Sequence, residues 1–131
     1  MIWLLAVPFG IALMYLLFMS PWSQVFGSYP YHGPNRKRQI ALTFDDGPNE
    51  PYTSKLLAIL KKEQVPATFF LVGNCALRHP SIAKQILNNG HTVGNHSLSH
   101  TFWTYFKAGA FKVELEQTQA IISKQIGKTP A

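Results

Sequence analysis

His96 and His100 lie four residues apart in HTVGNHSLSH, residues 91 to 100, a stretch with three of the chain's five histidines and no formally charged residue. On one helical turn that spacing puts both imidazoles on the same side. Neutral imidazoles are common metal ligands, and one anionic donor would complete a three-ligand zinc site with a position left open for water or substrate. TFDDGP, residues 43 to 48, offers that donor in Asp45 and Asp46. Adjacent carboxylates on an extended backbone point to different sides, so one can hold a cation while the other holds or deprotonates water. Each motif alone has a plain structural reading: DDGP as a turn with solvated acids, the histidine pair as exposed or locally hydrogen-bonded rings. Their joint occurrence, each beside a run that reads as a strand, favours the metal site.

Rigid elements must deliver these side chains. QIALTF, residues 39 to 44, reads as a strand stopped by DDGPN. YTSKLLAILKKE, residues 52 to 63, sets Leu56, Leu57, Ile59 and Leu60 in a helical stripe, with Thr53 or Ser54 able to cap it. ATFFLV, residues 67 to 72, is a continuous apolar run that predicts a buried parallel strand. A helix is expected from Pro80 to Asn88, with Gly90 at its end, then a third strand in HTVGN. FKVELEQTQAIISKQIG supplies a last helix whose packed face draws on Val113, Leu115, Ala120, Ile121 and Ile126. This alternation predicts a parallel α/β unit with right-handed crossovers. Ligands in such folds gather at the carboxyl ends of the strands, where both motifs fall.

The remaining reactive residue types have structural roles in this reading. His32 falls in a linker, His79 at a helix start and His91 just before the third strand. Cys75, the single cysteine, cannot make an intramolecular disulfide and is expected as a buried thiol. Ser97 and Ser99 can orient the histidine loop, and G-x-S-x-G is absent, so nothing supports a serine nucleophile.

The first 35 of the 131 residues carry no Lys, Arg, Asp or Glu, so the net charge of +6 belongs entirely to the rest. MIWLLAVPFGIALMYLLFM, residues 1 to 19, would span roughly 28 Å as a helix. With Trp3, Tyr15 and Trp22 as interfacial rings, residues 1–22 are expected to form an uncleaved single-pass anchor, with a cleaved signal or a buried helix as alternatives. Residues 23–38 read as a Pro/Gly/Ser-rich linker. The basic cluster at 36 to 38 would by itself keep the body on the cytoplasmic side. Scattered basic residues without an accompanying motif argue against a nucleic-acid partner.

TFDDGP and HSLSH, with the intervening LLAILKKEQVPATFFLVG and ILNNGHTVGNHSLSH segments, resemble the first two motifs of the polysaccharide deacetylase family, also called the NodB-homology or carbohydrate esterase family 4 domain. The resemblance runs from about Ile40 to Ala131. It implies a partial (β/α) barrel, the first half of a distorted seven-stranded NodB-type barrel, over residues 39–131. It further implies Asp45 as catalytic base, Asp46, His96 and His100 as ligands of a divalent metal, with zinc the expected ion, and N-acetylglucosamine-containing glycan as partner. The expected reaction is hydrolysis of N-acetyl groups with release of acetate. Such glycans lie outside the cytoplasmic membrane, so the domain is expected to be extracytoplasmic, membrane-tethered or, alternatively, secreted.

The family's Arg-Pro-rich third motif and later motifs do not occur. The domain is therefore expected to be incomplete and impaired as an isolated chain, from either an interrupted sequence or a short product. The competing functions are a noncatalytic glycan-binding or membrane-associated fragment and another metal-dependent hydrolase.

Overall fold

The structure, a computed structural model, describes residues 2–18, 20, 23, 25, 33 and 39–131. His32, Trp22 and the basic cluster at 36 to 38 lie outside the described residues. The chain divides into two compact units, Met1–Gln39 and Ile40–Ala131.

The first unit contains helix α1, Ile2–Phe18, 17 residues with Pro8 inside and no charged side chain. This corrects the expected membrane anchor over residues 1–22. Among the described residues no helix is long and apolar enough to cross a membrane. Seventeen residues at 1.5 Å each reach about 26 Å, short of a hydrocarbon core of about 30 Å. The membrane partner and the single-pass membrane localisation fall with the anchor.

The second unit is built on a three-stranded parallel sheet in the order β1-β2-β3: β1 Thr43–Gly47, β2 Thr68–Leu71 and β3 Thr92–Asn95. Helix α2, Tyr52–Glu63, connects β1 to β2; α3, Gly73–Arg78, and α4, Pro80–Asn88, connect β2 to β3. A 3-10 turn, Phe102–Phe106, and helix α5, Ala110–Ile126, follow. This open sheet matches the expected partial (β/α) barrel, without a membrane helix before it.

One side of the sheet carries the core. Phe69, Leu71 and Val93 are buried against Leu57 and Leu60 of α2, Ile82, Ala83 and Ile86 of α4, and Ile122 and Ile126 of α5. The opposite side keeps Thr68 and Phe70 half-buried. β2 therefore alternates, where a continuous apolar run had predicted burial on both faces.

β1 begins at Thr43, four residues later than QIALTF predicts, and Ile40 is 96% exposed. Pairing decides this: Thr43 stands opposite Thr68, the first residue of β2. The strand consequently runs through Asp45 and Asp46. Between the pairs Phe44–Phe69 and Gly47–Leu71, these two residues face the single residue Phe70. Such a two-against-one bulge re-aims side chains near the end of a strand.

The candidate metal centre

The bulge turns Asp46 into the left-handed region, at φ 65°. Ser97 and His100 adopt the same region, at 63° and 51°. A side chain with a Cβ gives up about 1 kcal/mol there, so each of these residues must be held by its neighbours.

The holding contacts can be followed along the loop after β3. The His96 N–H donates to the Leu71 carbonyl at 3.0 Å, continuing the sheet one residue past Asn95. Asn95 Oδ1 accepts from the Ser97 N–H, and Ser97 Oγ accepts from the His100 N–H. The Ser97 and Leu98 carbonyls accept from the Gly73 and Asn74 N–H groups at the start of α3. Glu114 of α5 accepts from the Leu98 and Ser99 N–H groups and from the Ser99 hydroxyl at 3.2, 3.0 and 2.5 Å. It also accepts from the Thr104 hydroxyl of the 3-10 turn at 3.2 Å. Burial alone would raise the Glu114 carboxyl; the hydrogen bonds from Ser99, Thr104 and Leu98 outweigh it and hold the group below its ordinary value.

Held in this way, the loop brings His96 and His100 over the end of β1. Their Nε2 atoms lie 3.3 and 3.8 Å from Asp46 Oδ1. The two rings stack at 4.7 Å between centroids with 18° between planes. One ligand atom from each of Asp46, His96 and His100 falls within 4.8 Å of the others. Two ligands of one tetrahedral zinc ion stand about 3.4 Å apart, so the spacing suits a shared cation. Two imidazoles and a carboxylate form a donor set for a divalent metal, and the Asp46, His96 and His100 side chains are 68, 29 and 47% exposed, leaving room for a further ligand.

Asp45 is exposed and lies outside the triad. With Asp46 it borders an open pocket of about 330 Å³ lined also by Phe44, Asn49, Tyr52, Leu56 and Phe69. His91 is buried at the opposite end of β3, with Nδ1 accepting the Ala67 N–H at 3.3 Å. His79 precedes α4 without a side-chain cap bond, and Cys75 is half-buried, less than the buried thiol expected, with Arg78 donating to its sulfur. Two features escaped sequence reasoning. Helix α3 is six residues long, too short to display a helical stripe, and Glu114 sits in a mixed polar run of α5 with no motif around it.

Residues 32–131 match the family model for polysaccharide deacetylase. The chain belongs to the polysaccharide deacetylase family. It is 40% identical over 103 residues to a peptidoglycan-N-acetylglucosamine deacetylase of Bacillus cereus, covering 79% of this chain and 38% of that protein. A solved peptidoglycan N-acetylglucosamine deacetylase superposes with a TM-score of 0.71 at 41% identity, over 75% of this chain and 46% of the other. A family 4 acetyl xylan esterase from Clostridium thermocellum, solved in complex with a cobalt ion, superposes with a TM-score of 0.63 at 37% identity, over 69% and 44%. The chain thus spans less than half the length of these relatives.

Proposed function

We propose that this chain acts in the metal-dependent hydrolysis of N-acetyl groups from an N-acetylglucosamine-containing polysaccharide such as peptidoglycan or chitin, releasing acetate. The observation that carries the reading is the convergence of Asp46, His96 and His100 at the carboxyl edge of the sheet. The similarity to a peptidoglycan deacetylase supports the choice of substrate. The deacetylase domain would occupy residues 39–131.

In this reading Asp46, His96 and His100 would hold the cation, and zinc suits two nitrogens and one oxygen. When bound, the cation supplies Lewis-acid polarisation of the acetyl carbonyl and a lowered pKa for water. Asp45 accepts the proton of the water that attacks the acetyl carbon, and the bulge separates it from the ligating Asp46. Both imidazoles must be neutral to ligate.

Metal content and acetate release test the assignment together. Asp46→Ala, His96→Ala and His100→Ala should each lose most bound metal. Asp45→Asn should keep the metal and lower acetate release from chitooligosaccharides or peptidoglycan by about a hundredfold or more. Acetate release indifferent to chelation, or full metal content in all three ligand variants, overturns the reading.

A further inference from the structure

We infer that Glu114 is a positioning residue for the metal centre, fixing the loop that presents His100 although its hydrogen bonds go to none of Asp46, His96 and His100. This inference rests on the metal reading above and adds a residue on a different element. Glu114 takes four hydrogen bonds, from the Leu98 N–H, the Ser99 N–H, the Ser99 hydroxyl and the Thr104 hydroxyl. Three of the four come from the two residues that lie between Ser97 and His100, both of which sit at positive φ. The fourth comes from the turn that follows His100. The carboxylate therefore grips the chain on both sides of the ligand.

Among the described residues Glu114 is the acceptor for these donors. Carbonyls and amides of this loop face different elements: the Ser97 and Leu98 carbonyls take their hydrogen bonds from α3, while the Leu98 and Ser99 N–H groups have Glu114 as their acceptor. A carboxylate offers lone pairs on both oxygens, enough for four donors, whereas an amide would turn an NH₂ group toward donors. Loss of this grip leaves the loop to relax from the left-handed conformation that aims His100 at Asp46. A contact outside the ligand shell then governs affinity, as groups that orient ligands commonly do.

The test is a cobalt(II) titration of the 131-residue chain, followed by visible absorption and by competition with a chelator. Wild type should bind cobalt, and His100→Ala should not. Glu114→Gln should bind about tenfold more weakly or worse, with an altered cobalt spectrum. Ser99→Ala removes one hydroxyl donor and should fold even where Glu114→Gln does not, with affinity lowered severalfold. Ile122→Val loosens the core on the same helix without reaching the loop and should keep wild-type affinity and spectrum. Wild-type affinity in Glu114→Gln, or in Ser99→Ala where Glu114→Gln fails to fold, overturns the inference. An equal loss in Ile122→Val also overturns it, by showing general loosening. A wild-type chain that takes up no more cobalt than His100→Ala instead overturns the metal reading itself.

Discussion

His91 is 5% exposed, its Nδ1 accepts the Ala67 N–H, and its Nε2 finds no partner among the described residues. An accepting Nδ1 requires the proton on Nε2, so a second proton would destroy the only hydrogen bond and charge a buried ring. Burial accordingly pushes its pKa below the ordinary 6.5. The unfolded chain takes up the proton first, so the His91 contribution to stability is complete above about pH 6.5 and is lost as pH falls through the lowered folded value. Urea midpoints measured from pH 7.5 to 5 should decline, and His91→Gln should show a flatter decline, though starting lower. Equal slopes in the two proteins would show that other groups govern the acid limb.

Among the elements, α3 lies tight against the histidine loop. A Cβ on Gly73 would lie 2.7 Å from Thr118 Oγ1, 2.8 Å from Leu98 Cδ1 and 3.3 Å from Leu98 Cα. The last of these is backbone of the histidine loop and cannot swing aside. Gly73→Ala should therefore destabilise by about 1–3 kcal/mol in chemical unfolding and also weaken metal uptake, because the loop itself must move. Unchanged uptake would mean that the loop has slack. The elements also divide by how well the sequence announced them. Helix α2 is Tyr52–Glu63 as its leucine spacing predicts, and α4 is Pro80–Asn88 as its proline and glycine bounds predict. Asp46, His96 and His100 were legible because residue type and strand-end position both point to them. The start of β1 was not, because Thr43 is selected by its partner Thr68 and no local signal separates it from Ile40. The expected Thr53 or Ser54 cap does not form: Pro51 precedes the helix without a side-chain cap bond, Thr53 bonds back to Asn49, and Glu50 accepts from Ser54.

At the scale of the whole second unit, the proposed ligands come from β1 and from the loop after β3, which are far apart in sequence. A cation bound only by the folded arrangement adds stability by mass action, about 2.7 kcal/mol at a hundredfold excess over Kd. Zinc should thus raise the melting temperature of wild type by several degrees and leave His96→Ala unmoved. A rise in both proteins would indicate binding elsewhere.

The strand order β1-β2-β3 places β1, which carries Asp46, and β3, which leads into the histidine loop, on either side of a strand that donates no ligand. A cation at their ends would close the top of the sheet like a clasp, and separating β1 from β2 or β2 from β3 would then strain the same clasp. Amide hydrogens of Thr68 to Leu71 should become the slowest to exchange with deuterium once metal is added, so the strand that never touches the ion is the one that reports it most strongly.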